Sequence, residues 1–285
     1  PNIIVLMVDA LRADHLASYG YDRETSPYLD ALAARGVVFE KAYAQASQTR
    51  LSVASLMTGL NPPSHRVREA ETEPDADGKI RSDVLSEELD TLAERLKAAG
   101  YATAGFVTNP HLVAGQGFDQ GFDHYFYVDY RHCMADRLNE AALNWLEQAP
   151  DEPWFAYVHY MDVHMPYDPP RGYAYSSGEN PLLKPFQVNG PPEGPVDLPV
   201  LSRTINLYDG QIRYWDDMLR TLVAGPGERL PRRDGDPDPL ELRGPLWLAA
   251  GLFALVPSPR RRDLLLDAGE SADRLCPGCK SPLRF

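Results

Sequence analysis

The chain has 285 residues, with 28 Lys and Arg against 41 Asp and Glu and a formal net charge of -13; hydrophobic residues make up 44% and charged residues 24%. This length allows one large α/β domain or a domain and a half, and the composition excludes a fibrous or disordered chain. The acidic balance excludes a broad nucleic-acid surface, which needs Lys and Arg against phosphates, but leaves room for a small anionic substrate beside a local metal.

Residues 2 to 8, Asn-Ile-Ile-Val-Leu-Met-Val, are continuously apolar after the first, which predicts a strand buried on both faces of a parallel sheet. The run ends at Asp9. A carboxylate at the C-terminal end of such a strand stands where open α/β sheets bind ligands. Asp also caps helices, and both readings are open at this point. Thr25-Ser26-Pro27 introduces a helix over Tyr28 to Ala34 with Pro in its first turn, closed by Gly36. Val37, Val38 and Phe39 predict a short strand. Ser52 to Thr58 predicts a helix that begins just after Thr49 and stops at Gly59.

Leu85 to Ala99 predicts an amphipathic helix with Gly100 at its end, and Tyr101 to Thr108 a second buried strand. Arg137 to Gln148 predicts a helix. Trp154 to Tyr160 predicts a third strand, which delivers His159, Asp162 and His164 to its C-terminal end. Residues 166 to 200 are rich in Pro and Gly and predict a long loop; Leu207 to Val223 predicts the last helix. Strands alternating with helices imply an α/β fold, a mostly parallel central sheet with helices on both faces.

Past Gly225 the rhythm is lost, and residues 231 to 239 concentrate Pro, Arg and Asp. This divides the chain into a domain of residues 1–227 and an atypical tail of residues 228–285. The longest apolar run, Pro245 to Pro257, is too short to span a bilayer. Three cysteines, Cys133, Cys276 and Cys279, are too few for a disulfide framework. Cys276-Pro277-Gly278-Cys279 has half the spacing of a zinc ribbon, but the second pair that a four-ligand site needs is missing.

Four stretches carry a family pattern. They are Pro1 to Leu16 with Tyr19-Gly20-Tyr21; Thr49-Arg50-Leu51-Ser52-Val53 through Thr58-Gly59, with Pro63-Ser64-His65; Gly100-Tyr101-Ala102-Thr103 through Asn109-Pro110-His111-Leu112 to Gly121-Phe122-Asp123; and His159 through Asp162-Val163-His164-Met165-Pro166-Tyr167. In this order and spacing, over roughly residues 1 to 224, they resemble the sulfatase family of the alkaline phosphatase superfamily.

The resemblance implies a metal-dependent hydrolase of sulfate or phosphate esters acting on a small anionic ester. The family's first-strand metal ligand falls on Asp9, with Ala10 where many members carry a second Asp. Aligned on Thr58-Gly59, the nucleophile position falls on Thr49, and Leu51 and Val53 occupy the Pro and Arg positions of the motif. Typical sulfatases convert Cys or Ser there to formylglycine; phosphoryl-transferring relatives use an unmodified Thr, activated by metal coordination. Thr49 is therefore expected to be both nucleophile and metal ligand beside Asp9; the alternative is a plain helix N-cap.

Arg50 and Asn109, the latter at a family Lys position, are expected to bind substrate. His111 matches the substrate-contacting His. His164, in His-Met-Pro-Tyr, matches a His able to protonate a departing alkoxide. His159 is expected to be a satisfied core residue. Asp9, Thr49, His111 and His164 are expected to converge on one pocket.

The implied cofactor is a divalent ion: Ca, Mn, Mg or Zn. The family completes its metal site with Asp-His-Gly or Asp-Asn-Gly after a helix such as Tyr208 to Val223, and neither follows residue 224. The expectation is thus an incomplete N-terminal catalytic portion, inactive or weakly active as given. Thr49 and Asn109 keep a phosphodiesterase or phosphoryl-group transferase as one alternative; a non-catalytic relative that binds an anion or partner is another. The resemblance also implies an extracytoplasmic setting.

Overall fold

The computed structural model describes residues 2–68, 83–129, 135–148, 153–175 and 198–224, all within one compact unit, Pro1–Leu255. The expected division after residue 227 and the three cysteines lie outside these residues. Four strands, β1 (Ile3–Val8), β2 (Ala102–Val107), β3 (His124–Tyr127) and β4 (Trp154–Tyr160), form one sheet in the order β1-β4-β2-β3. Every pairing is parallel, with Ile3 opposite Phe155 and Ala102 opposite Trp154.

The alternation of side chains along each strand sorts the core into two layers. Ile4, Leu6 and Val8 join Ala104, Phe106, Ala156, Val158 and Tyr160 on one face, under α5 (Ala135–Glu147) and α6 (Leu198–Ala224). Met7, Val107, Phe155 and Tyr157 face the other way, against α2 (Thr49–Thr58) and α4 (Leu92–Ala98). Helices therefore cover both faces, as the sequence implies. Asn139 of α5 fastens one layer: its amide donates to the Met218 carbonyl at 2.7 Å, and its oxygen accepts the Tyr160 hydroxyl at 2.6 Å.

Three expected elements differ. Residues 37 to 39 form no strand; Val37 and Phe39 are 78% and 66% exposed, and a short β-prone run gains little without a neighbouring strand to pair with. The helix expected from Leu85 begins only at Leu92, because Thr91 and Glu94 close a reciprocal capping box there. Leu85 instead bonds its N–H to the Gln116 carbonyl at 3.0 Å and packs in the core. The last helix starts at Leu198, inside the expected loop. Strand β3 has no counterpart among the expected elements; Tyr125 packs against the core and Phe126 stacks on Phe106 at 5.4 Å, but most of the strand is exposed and shows no clean apolar pattern. Among the described residues no helix is long and apolar enough to cross a membrane.

Asp216 of α6 caps a different helix, α1 (Pro27–Ala33), accepting the Tyr28 and Leu29 N–H groups at 2.9 and 2.8 Å. Burial pushes this carboxyl up to about 7, against the two N–H donors and Arg213, which pull it down. A raised carboxyl pKa means that the folded state binds the proton more tightly than the unfolded state, so the contribution is full below the unfolded value and is lost as pH rises through 7. Between pH 5 and 7 the loss is roughly 2 kcal/mol at about 1.4 kcal/mol per pKa unit. Urea denaturation should show this component vanish in Asp216→Asn; an unchanged pH profile in that variant would refute it.

Candidate active site

The site forms where β1, β2 and β4 end. The first residue beyond β1 is Asp9, whose N–H continues the ladder to the Tyr160 carbonyl at 2.9 Å. Its side chain is 5% exposed. Two donors meet on Asp9 Oδ2, Thr49 Oγ1 at 2.9 Å and Asn109 Nδ2 at 2.8 Å, and His159 Nε2 lies 3.4 Å from the same oxygen. Burial alone would raise the Asp9 pKa, but the hydrogen bonds with His159 and Thr49 and the fields of the His159 and His164 rings together hold it below its ordinary value.

Thr49 is the first residue of α2 rather than its N-cap, which is Gln48. The N-cap alternative thus gives way to a hydroxyl that faces Asp9. No side chain caps α2, so its first-turn N–H groups, which lack intrahelical partners, point toward the same end. Gly59, with φ of 70°, closes the helix as expected.

Asn109 follows the end of β2 and is 1% exposed. Its Oδ1 accepts the His111 N–H at 2.8 Å, which turns Nδ2 toward Asp9 and, at 3.3 Å, Thr49 Oγ1. Asn109 is therefore held by contacts within the protein. Arg50 is 1% exposed; its guanidinium donates to the carbonyls of His111, at 2.9 Å, and Asp83, and lies over the Phe118 ring. These contacts tie the His111 turn to α2.

The structure thus unites Asp9, Thr49 and Asn109. His164 is close enough for its charge to act on Asp9; its Nδ1 lies 2.8 Å from the Met165 carbonyl, so that nitrogen carries the proton. His111 is exposed and joined to the cluster through its backbone. His159, expected to be core, is fully buried but also touches Asp9. Strand parity was the available signal, since His159 shares the face of Phe155 and Tyr157 and pairs with Met7. Asp162 takes up a structural task, accepting the Ala135 N–H at 2.9 Å at the start of α5.

A buried carboxylate, a hydroxyl at a helix start and an adjacent imidazole lie together at the C-terminal edge of a parallel sheet, the place where open α/β sheets bind ligands. The family model described as Sulfatase matches residues 1–225, and the chain belongs to the sulfatase family.

It is 35% identical to bovine (Bos taurus) arylsulfatase A over 137 residues, 46% of this chain and 26% of that protein. The chain thus aligns with about a quarter of that relative's length. Its fold matches a phosphonate monoester hydrolase of Agrobacterium radiobacter with a TM-score of 0.56, at 19% identity, over 77% of this chain and 58% of that one. It also matches the C-terminal periplasmic domain of phosphoethanolamine transferase EptC from Campylobacter jejuni, with a TM-score of 0.53 at 18% identity, over 76% and 61%.

Sulfatase-family enzymes use a divalent metal. Among the described residues, no group of three or more His, Cys, Asp or Glu side chains could hold one. Hard divalent cations take six or more ligands, and Asp9 with Thr49 supplies two. These residues alone do not fit a complete metal centre.

Proposed function

We propose that the chain carries the nucleophile half of an ester-cleaving site, acting on sulfate or phosphate esters with Thr49 as nucleophile. The observation that supports this most is the Thr49 hydroxyl at the first residue of α2, 2.9 Å from buried Asp9. Asp9 orients the hydroxyl; a carboxylate is too weak a base to deprotonate it outright. In the proposed step Thr49 Oγ attacks sulfur or phosphorus, its proton, made acidic as the new bond forms, passes to Asp9 Oδ2, and the bond to the ester oxygen breaks. His164, with Nδ1 on the Met165 carbonyl, gives the leaving oxygen the Nε2 proton when the ring carries both. Non-bridging oxygens face the uncapped N–H groups of α2. Water then cleaves the Thr49 ester.

An unmodified Thr at this position also favours a second reading, phosphodiester cleavage or phosphoryl-group transfer. The resemblances do not choose between sulfur and phosphorus: arylsulfatase A is a sequence relative, whereas a phosphonate hydrolase and a phosphoethanolamine transferase domain share the fold. Asp9 and Thr49 are two proposed ligands of a divalent ion, and an extracytoplasmic setting belongs to the same proposal.

The test is turnover of para-nitrophenyl sulfate, para-nitrophenyl phosphate and the corresponding phosphodiester by the full chain, with Ca, Mn, Mg or Zn supplied in turn. Cleavage lost in Asp9→Ala supports the site, and the preferred ester selects between the readings. Cleavage that is indifferent to Asp9→Ala sinks the proposal for this chain; weak cleavage, or none with any ester and ion, is what a nucleophile half without its remaining metal ligands predicts.

A further inference from the structure

Among the described residues, His159 is the one imidazole sealed inside the sheet beside the site; it is 0% exposed, in the alternation that also buries Tyr157. The Tyr157 hydroxyl lies 2.8 Å from His159 Nδ1, and His159 Nε2 lies 3.4 Å from Asp9 Oδ2. The rings of Tyr157 and His159 meet edge-on, 5.9 Å apart. A buried phenol has one proton to give, and the desolvation that raises the Tyr157 pKa well above its ordinary value keeps that proton in place. If the phenol donates to Nδ1, a neutral imidazole must carry its own proton on Nε2, the atom facing the carboxylate.

We propose that His159 is a positioning residue for the Asp9–Thr49 pair: Tyr157 fixes it as the Nε2–H tautomer, and in that form it donates to Asp9 Oδ2 and keeps the carboxylate turned toward the Thr49 hydroxyl. The proposal rests on the reading of Asp9 and Thr49 as the reactive pair, but its geometry is open to measurement without turnover.

Thr49 and Asn109 donate to the same oxygen, so Oδ2 is fixed by three donors from three different elements. Asp9 Oδ1 receives no hydrogen bond among the described residues. The orientation matters because a carboxylate rotated about its χ2 axis would turn Oδ2 away from the hydroxyl. It costs little to maintain, because each donor is itself held by the fold.

The experiment has two parts, both on the full chain. In the first, nitrogen-15 NMR of histidine-labelled protein should show His159 with a protonated Nε2 and a bare Nδ1, and Tyr157→Phe should give a mixture of tautomers. A proton on Nδ1 of His159 in the unmodified protein overturns the proposal, since Tyr157 would then be accepting. In the second, crystal structures of His159→Gln and His159→Leu are compared. Gln can present its amide to Asp9 and should keep the Thr49–Asp9 hydrogen bond; Leu cannot, and should leave the carboxylate rotated. An unmoved carboxylate in His159→Leu overturns the proposal. If His159→Leu fails to fold, the NMR part decides. Loss of ester cleavage elsewhere in the site would count against the proposed function without touching either result.

Discussion

Thr49→Ala is expected to lower kcat/KM for the preferred ester by roughly 10³-fold or more, the scale on which removal of a nucleophile acts. Thr49→Ser should retain activity to within about tenfold, because the attacking oxygen and its proton survive. The two variants separate nucleophile from scaffold. Thr49 is half-buried at the start of α2, and its methyl group contributes packing that both substitutions remove or reduce. Only Ala also removes the hydrogen bond to Asp9 Oδ2 at 2.9 Å. A structural role would weaken both variants alike, in melting temperature as well as in rate. Steady-state kinetics beside thermal denaturation distinguishes the cases: if Ala and Ser retain equal activity, Thr49 is not the attacking group, and a water oriented at the same place becomes the better reading.

Asp209→Ala should cost about 3 kcal/mol of folding stability, the low end of the range for breaking a buried ion pair by removing one partner. Asp209 is fully buried on α6, yet it collects His15 Nδ1 at 2.6 Å, the Tyr21 hydroxyl at 2.7 Å and Arg23 Nη1 at 2.6 Å. Without the carboxylate, three polar groups from the segment that follows β1 lose their common acceptor. Arg23 is 35% exposed and can turn to water, which holds the estimate at the lower end.

The loss should spread toward the site. The neighbouring Tyr208 hydroxyl donates to the Ala10 carbonyl at 2.7 Å and accepts the Arg12 N–H at 2.8 Å. Between them, Ala10 holds a φ of 59°, a conformation that a residue with a Cβ adopts at a cost of about 1–2 kcal/mol. The tie from α6 therefore keeps the turn immediately after Asp9 in a strained shape. Urea denaturation at neutral pH measures the cost; a change below about 1 kcal/mol would mean that the cluster contributes no more than a surface pair.

Periodicity and punctuation carried much of this protein in its sequence. Apolar runs at residues 3–8, 102–107 and 154–160, broken only by Thr103, Gly105 and His159, mark strands buried on both faces, since no amphipathic alternation is needed when helices cover each side. Ser26-Pro27, Gly59 and Gly100 mark helix ends because their backbone preferences are local. The apolar spacing of Tyr208, Ile212, Trp215, Leu219 and Leu222 likewise marks one face of α6. Asp9 and Thr49 were legible as a pair only through the family pattern, being 40 residues apart.

Tertiary structure decided the rest. Whether 37–39 becomes a strand depends on a neighbour to bond with, which no local signal supplies. Which carbonyls Arg50 meets depends on where residues 83 and 111 come to lie. Asn109 and His159 acquired their roles in the same way. An amide or imidazole has several possible partners, and only the packed sheet ends, which bring β1, β2 and β4 to one edge, determine that both turn toward Asp9.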